Sequence, residues 1–422
     1  MTYSGERDSL ELTELQPDIN TFVNSFAQNP VAQNSRRAII LFPGGMGSAL
    51  KRGHRIYKGI PLPPGEQFDS LWLTLETYIG RVEDLQMVDE QDYQDKFVIP
   101  QGDIELCGVS PYENFVKWCK SRKFDLYIFG YDWRRRPEES VRFFLDQFLP
   151  DLSQKIINKG LDLFADLTLV GHSLGGMTVK LIMQDASPLA AKITRGITVG
   201  TPFYGYAGQT RRYFEGEPDL LFQSKSEQTK VISSLPGGYF LQFLDSDTYN
   251  TVGGALQADP YYPLNAYPST DLVTGQWADP FKPVDALPKL RYPPYINMSE
   301  LHDAKASYQQ VAQDLPDAIA ARFFNIRAVQ RSGGNDLNQT YVSQKWDTVP
   351  AGFNPDTPHT VPITYTVGPG DGTIPAWSAR LISLDQAYPN NIVTLRGDLE
   401  HMSLMESQAV QNQVYNFLGS PP

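Results

Sequence analysis

Gly171-His172-Ser173-Leu174-Gly175 is the stretch that decides which fold this sequence predicts. It follows the apolar run Leu167–Val170 and precedes a helical pattern from Met177 to Met183. A G-x-S-x-G sequence between a strand and a helix is typical of a nucleophile elbow, a sharp turn that presents a serine hydroxyl. The stretch therefore predicts an α/β sheet with a reactive serine at its edge.

The glycines around Ser173 fit that prediction. Gly171, Gly175 and Gly176 lack the Cβ atoms that would clash where strand and helix approach closely. The turn would also aim the first N–H groups of the helix at the place where an oxyanion develops. The alternative is a tight glycine-rich turn in which Ser173 takes no part in chemistry.

Composition limits the classes of function. The chain has 422 residues, 41% of them hydrophobic and 12% aromatic, which is enough for one core with a large insertion. Its formal net charge of -12 argues against nucleic acid and anionic membranes as partners. A lipid substrate would be held by apolar contacts.

The N-terminus and the cysteines bear on location. Met1–Asp8 has neither a basic region nor an apolar core of a signal peptide, so we expect a cytoplasmic protein without a transmembrane segment. Cys107 and Cys119 match no zinc pattern, and they form either one bridge or two thiols.

Short apolar strands alternate with amphipathic helices, such as Val141–Ile157, which predicts a mostly parallel sheet covered on both faces. The predicted strands are Ala38–Phe42, Leu126–Phe129, Leu167–Val170, Ile197–Val199, Phe323–Val329 and Ile392–Leu395.

Four segments are predicted along the chain. Residues 1–34 form an arm, 35–204 the first part of the core with a lid-like insertion at about 51–100, 205–321 a cap, and 322–422 the rest of the core. The cap segment is rich in proline and aromatic residues, as in Pro260–Pro263 and Tyr292–Tyr295. The alternative is that this segment is a disordered linker, but the high aromatic content of the segment disfavours disorder. Trp72, with Leu71 and Leu73, forms either an apolar lid tip or a buried patch.

A base and an acid complete the predicted site. Among five histidines, His401 follows a strand by a short polar turn and lies after Ser173, as the hydrolase order requires. Asp371, between Gly370 and Gly372, fits the acid that orients the imidazole. Asp398 and Glu400 are alternatives, but they lie so close to His401 that they are expected to define its loop.

The loop Pro43–Ser48 follows an early strand and is expected to supply the second oxyanion donor. We assign the N–H of Gly45, paired with the N–H of Leu174. A phosphate-binding loop is the competing interpretation, but it needs a Lys-Ser/Thr pair that this loop lacks.

These motifs together resemble the lecithin:cholesterol acyltransferase family of α/β-hydrolases, which includes lysosomal-type phospholipases and phospholipid:diacylglycerol acyltransferases. The resemblance rests on Pro43–Ser48, Tyr131-Asp132-Trp133-Arg134, Gly171–Gly175, Gly370–Pro375 with Glu400-His401, and Leu235–Leu241. Secreted vertebrate members close their lid with a disulfide, whereas Phe68–Tyr78 contains no cysteine.

The resemblance implies acyl transfer through a serine acyl-enzyme at Ser173. The reaction is expected to need no metal or organic cofactor, and a structural calcium ion bound by surface carboxylates is left open as an alternative. We expect a hydrolase of hydrophobic acyl esters or lipids, with an acyltransferase as the alternative and a non-catalytic binding protein as a third possibility. The residues expected to contact substrate are Met46, His172, Trp133, Tyr204 and Tyr239.

Overall fold

Parallel β-strands form the centre of the fold. In chain order the strands are β1 (Ala38–Phe42), β2 (Ser48–His54), β3 (Ile56–Tyr57), β4 (Ile60–Pro61), β5 (Phe68–Trp72), β6 (Lys96–Asp103), β7 (Asp125–Ile128), β8 (Leu167–His172), β9 (Arg195–Val199), β10 (Phe323–Ser332), β11 (Asn335–Asp336), β12 (Asn338–Trp346), β13 (Ile363–Pro369) and β14 (Ile392–Gly397). The central seven-stranded sheet has β7, β1, β8, β9, β10 and β14 as parallel neighbours in that order, and β11 pairs antiparallel with the end of β10.

The computed structural model describes part of the chain. The described residues are 37–54, 56–57, 60–61, 68–72, 85–87, 96–104, 110–216, 224–241, 255–256, 258–262, 297, 299–300, 303–304, 310–311, 313–346, 363–382, 384 and 388–419.

Helices lie between strands of the central sheet along the chain, as in βαβ units, and one more helix follows the last strand. They are α1 (Glu113–Ser121), α2 (Pro137–Phe143), α3 (Leu149–Ile157), α4 (Leu174–Gln184), α5 (Pro188–Ala191), α6 (Ala207–Glu215), α7 (Lys225–Ser233), α8 (Pro236–Tyr239), α9 (Asp317–Ala320) and α10 (Gln408–Leu418). A π-helical turn, Phe144–Phe148, joins α2 to α3. The helix predicted over Val141–Ile157 is therefore confirmed.

Strand β1 shows why the sheet is buried on both faces. All five of its residues are buried, and they alternate between two hydrophobic clusters. Ile40 and Phe42 belong to the cluster that includes residues of α2, α3 and α4, whereas Ile39 and Leu41 belong to the cluster with residues of α1 and α10. Because side chains of a strand alternate in direction, these clusters lie on opposite faces. The sequence-based prediction of a parallel sheet covered on both faces is confirmed.

Three small antiparallel sheets were not predicted from the sequence. Strands β5, β2 and β6 form one sheet in that order, β3 pairs with β4, and β12 pairs with β13. The first of these sheets brings Trp72 against the core, where it is buried together with Leu71. The interpretation of these two residues as a buried patch is thus confirmed, and the exposed lid tip is wrong for them.

Several predictions lie outside the described residues, namely the arm at 1–34, Leu73, Cys107 and the stretch Tyr292–Tyr295. The division into core, lid-like insertion and cap stays a prediction. Cys119 is a buried free thiol whose pKa is raised by burial. Within the described ranges, no helix is long and apolar enough to cross a membrane.

Candidate active site

Ser173 lies in a strained turn between β8 and α4. Its backbone angles are φ 54° and ψ −125°, a region that residues with a side chain seldom occupy. The neighbouring backbone fixes this conformation: the Ser173 N–H donates to the Val199 carbonyl at 2.9 Å, and the Ser173 carbonyl accepts from the Gly176 N–H at 2.9 Å. Ser173 is therefore the N-cap residue of α4 and occupies the turn between strand and helix, as the elbow prediction requires.

The glycines of the turn are needed for close approach. A Cβ on Gly175 would lie 2.3 Å from the Phe42 carbonyl oxygen, and one on Gly171 would lie 2.5 Å from the Gly176 Cα. A Cβ on Gly176 would lie 1.8 Å from the Thr201 Oγ1. These distances are shorter than van der Waals contacts, so the steric reason predicted for the glycines is confirmed.

We expect the substitution Gly176→Ala to destabilise the protein by about 1–3 kcal/mol, because the new methyl group overpacks a buried contact between α4 and Thr201. Chemical denaturation of the purified variant would measure this loss. Gly397→Ala is the matched control, since the nearest atom to its new Cβ is the Leu399 Cγ at 3.9 Å. Equal stability of the two variants would contradict the steric argument.

His401 and Asp371 lie in line with the serine. The His401 Nε2 is 2.9 Å from the Ser173 Oγ, and the His401 Nδ1 is 2.7 Å from the Asp371 Oδ2. A carboxylate only accepts hydrogen bonds, so we assign the imidazole proton to Nδ1, which leaves Nε2 to accept from the serine hydroxyl. Ser173, His401 and Asp371 are 9%, 6% and 1% exposed. The structure thus brings together the three residues that the sequence analysis selected from distant segments.

The loop after β13 holds the Asp371 carboxylate. Its Oδ1 accepts the N–H groups of Thr373 at 3.1 Å and Ile374 at 2.6 Å, while Oδ2 faces the imidazole. Gly372 has φ 88°, a conformation that glycine adopts without steric cost. In addition, the Asp371 carbonyl accepts the His401 N–H at 2.8 Å. The same loop therefore orients both the ring and the backbone of His401.

The loop between β1 and β2 covers the serine turn. A Cβ on Gly44 would lie 3.0 Å from the Ser173 Cβ, and one on Gly45 would lie 3.7 Å from the Leu174 Cδ2. Met46 has a left-handed backbone, with φ 64°. This loop is the expected oxyanion loop, and it lies beside Ser173 as predicted. The roles of the Gly45 and Leu174 N–H groups as oxyanion donors stay a prediction.

Four aromatic side chains hold the oxyanion loop through its backbone, a role that was not predicted from the sequence. They come from three separate segments of the chain, and each makes one hydrogen bond to residues 43–48. The Tyr131 hydroxyl donates to the Pro43 carbonyl at 2.7 Å, the Tyr112 hydroxyl accepts from the Gly44 N–H at 2.8 Å, the Trp72 indole donates to the Met46 carbonyl at 2.7 Å, and the Trp133 indole donates to the Ser48 carbonyl at 3.2 Å.

The residues predicted to contact substrate differ in exposure. Met46 is partly buried, whereas His172, Trp133, Tyr204 and Tyr239 are buried at 5% exposure or less. Each of the four buried side chains makes hydrogen bonds within the protein. Their contact with a substrate stays a prediction, and the observed bonds give each of them a structural role.

The Tyr131–Arg134 motif and the Leu235–Leu241 motif pack against each other. The Gly237 N–H donates to the Arg134 carbonyl at 2.7 Å, and a Cβ on Gly237 would lie 2.4 Å from the Trp133 carbonyl oxygen. Arg134 forms a bidentate ion pair with Asp132, in which its Nε donates to Oδ1 at 2.8 Å and its Nη2 donates to Oδ2 at 2.7 Å. Burial acts to raise the pKa of Asp132, but the charge and hydrogen bonds of Arg134 outweigh it and hold the pKa below its usual value. This buried pair fixes the segment that supports the oxyanion loop.

No three His, Cys, Asp or Glu side chains lie close enough to share a metal ion in the ranges that the structure describes.

The central sheet and the serine turn define an α/β-hydrolase fold. Residues 105–279 match the model of the lecithin:cholesterol acyltransferase family, which confirms the resemblance over that segment. The match supports an acyl-ester hydrolase or acyltransferase. None of the curated proteins matches the chain in sequence.

One solved structure supports the fold. A chain in the crystal structure of the Tle4-Tli4 complex matches with a TM-score of 0.53 at 14% identity, over 92% of this chain and 99% of that chain. The crystal structure of the lin2722 gene product from Listeria innocua matches with a TM-score of 0.28 at 10% identity, over 92% and 95% of the two chains. Only the first likeness is close enough to support the shared fold, and at this identity it supports the fold alone.

Proposed function

We propose that the protein is a serine-dependent hydrolase of hydrophobic acyl esters, with Ser173 as the nucleophile, His401 as the general base and Asp371 as the residue that orients the base. The observation that carries the proposal is the pair of hydrogen bonds of 2.9 Å and 2.7 Å that joins the three side chains across the strained turn. A serine hydroxyl needs such a base to become a nucleophile.

In the proposed first step, the Ser173 Oγ attacks the acyl carbonyl carbon while the His401 Nε2 takes the hydroxyl proton. The carbonyl oxygen becomes an oxyanion, which the N–H groups of Gly45 and Leu174 would stabilise. His401 then returns the proton to the departing alcohol, and the acyl group stays on Ser173 as an ester. The Asp371 carboxylate stabilises the imidazolium during this step.

In the proposed second step, His401 takes a proton from water, and the resulting hydroxide attacks the acyl-enzyme. The serine oxygen leaves, regains its proton from His401, and a carboxylic acid is released. Water as the acceptor makes the overall reaction a hydrolysis.

Acyl transfer to an alcohol is the second candidate, and the match to the acyltransferase family favours it. The two functions share the acyl-enzyme and differ in what attacks it. The formal net charge of -12 suits a neutral or zwitterionic acyl donor better than an anionic one. We further propose that residues 205–321 form a cap over the site, since Gly237 packs against the segment next to the oxyanion loop.

Covalent labelling followed by turnover tests the proposal. The full chain is incubated with a fluorophosphonate, and intact-mass measurement with peptide mapping locates the label. Turnover of p-nitrophenyl esters is then measured with and without a long-chain alcohol, and the products are identified. The proposed hydrolase gives stoichiometric labelling at Ser173 and the free carboxylic acid as the product.

Other outcomes separate the alternatives. Labelling at Ser173 with faster release of nitrophenol and formation of the alkyl ester means that the protein is an acyltransferase. Absence of labelling and turnover means a non-catalytic protein of hydrolase fold. Labelling at a different serine overturns the assignment of the nucleophile.

A further inference from the structure

A chain of hydrogen bonds joins the oxyanion loop to the base by a route that avoids Ser173. The Gly44 N–H donates to the Tyr112 hydroxyl oxygen at 2.8 Å, and this hydroxyl lies 3.1 Å from the His172 Nδ1. The other ring nitrogen of His172, Nε2, lies 3.0 Å from the backbone carbonyl oxygen of His401. Four groups from four separate segments are thus linked around the nucleophile.

The direction of each bond follows from the chemistry of the partners. A carbonyl oxygen has no proton, so the His172 Nε2 must donate to His401. The pKa of His172 is held well below its usual value, mainly by burial and also by the neighbouring His401, so its ring is neutral and Nδ1 accepts. Tyr112 therefore donates its hydroxyl proton to His172, and its oxygen is left to accept from Gly44. Each of these hydrogen bonds therefore has one defined donor and one defined acceptor.

The surroundings leave these groups little freedom. Tyr112 and His172 are 2% and 3% exposed, and their rings meet edge to face with centroids 5.9 Å apart. The His172 ring also lies 4.9 Å from the His401 ring. On the loop side, the Tyr112 hydroxyl sits where a Cβ on Gly47 would be 2.8 Å away, so it fills the inside of the loop's turn. Buried polar networks of this kind fix geometry because each broken bond leaves an unpaired polar group.

We propose that Tyr112 and His172 are positioning residues that hold the Gly44 end of the oxyanion loop and the backbone of His401 at a fixed distance from each other across Ser173. This inference rests on the proposed function. The oxyanion donors and the base act on opposite sides of the same reacting carbon, so an error in their spacing lowers transition-state stabilisation more than substrate binding. It also explains a histidine at the variable position of the elbow: His172 can accept at one nitrogen and donate at the other.

The substitution Tyr112→Phe removes the central hydroxyl and keeps the ring. We expect kcat for a p-nitrophenyl ester to fall about tenfold, with KM within about twofold of the parent value, because loss of one complete oxyanion donor costs about 100- to 1000-fold and here the donors are only displaced. Tyr206→Phe is the matched control, since its buried hydroxyl also makes two hydrogen bonds, to Gln209 at 3.2 Å and from Arg212 at 2.7 Å. Its kcat should stay within about twofold of the parent value.

A second pair of variants tests the His172 end. The amide of His172→Gln can still donate to the His401 carbonyl, whereas His172→Leu cannot. We expect kcat of the glutamine variant to exceed that of the leucine variant by about tenfold. Thermal melting of each variant identifies any that fails to fold. If a His172 variant does not fold, the inference is decided by the kinetics of Tyr112→Phe.

The outcomes distinguish this inference from the proposed function. If the parent protein is labelled by the fluorophosphonate at Ser173 while Tyr112→Phe keeps the parent kcat, the positioning role is overturned and the hydrolase proposal stands. An equal fall of kcat in Tyr206→Phe, or a rise in KM that accounts for the whole loss of kcat/KM in Tyr112→Phe, also overturns it. If the parent protein is neither labelled nor active, both proposals fail together.

Discussion

Replacing Ser173 with alanine is expected to lower kcat for ester cleavage by about six orders of magnitude, because the substitution removes the only atom that the proposed mechanism uses to form the acyl-enzyme. The loss of stability is expected to be about 1 kcal/mol, because the substitution removes one hydrogen bond, from the buried Ser173 hydroxyl to the His401 Nε2. Burst and steady-state turnover of a p-nitrophenyl ester measure the first effect, and thermal melting measures the second.

Ser187→Ala is the control for this experiment. Ser187 caps α5, which lies between the end of α4 and the start of β9, at the edge of the sheet opposite Ser173. Its loss should cost about 1 kcal/mol of stability and leave kcat unchanged. If Ser173→Ala keeps more than a few per cent of parental turnover, the nucleophile is a different group and the proposed mechanism is wrong.

The substitution Asp371→Asn is expected to lower kcat by about four orders of magnitude at pH 7 with little change in KM. An amide at this position can donate to the His401 Nδ1, which favours the tautomer that carries its proton on Nε2. That tautomer cannot accept the Ser173 hydroxyl proton, so the base is in the wrong form while its position is kept. Steady-state kinetics across pH 5–9 would measure the loss.

Asp398→Asn serves as the comparison, because Asp398 was an alternative acid in the sequence and is exposed in the structure. Its kcat should lie within about twofold of the parent value. A large loss in Asp398→Asn together with a small one in Asp371→Asn would transfer the orienting role to the loop beside His401.

The features that the sequence predicted well are those with a local cause. Strand β1 coincides with the predicted Ala38–Phe42, since a run of five apolar residues bounded by Arg37 and by Pro43-Gly44 is too short for a typical helix. The elbow was visible because close backbone approach requires Gly171 and Gly175 at fixed positions. Asp371 and His401 were found through their order in the chain and the strands before them, which place both at the same sheet edge as Ser173.

The features that were missed depend on long-range pairing. Tyr112 reaches the oxyanion loop across 68 residues of sequence, and nothing in its immediate neighbours marks it. Strand β2 pairs with both β5 and β6, which follow it in the chain. These strands carry charged and polar residues such as Lys51, so their hydrophobic periodicity gives a weak signal. Trp133 was assigned to substrate contact from a motif, and only the fold places its indole on the Ser48 carbonyl.

Strand β14 lies at an edge of the central sheet, and its position affects the proposed activity more than the stability of the core. This strand leads into His401, is only partly buried, and among the described strands pairs with β10 alone, at residues 325–330. Edge elements open more readily than central ones, so the proposed base follows one of the least protected strands of the sheet, whereas the proposed nucleophile follows the fully buried β8. Under the proposed mechanism, local opening of this edge would abolish turnover while the core stays folded. Loss of activity would therefore report opening of the sheet edge earlier than any signal of global unfolding.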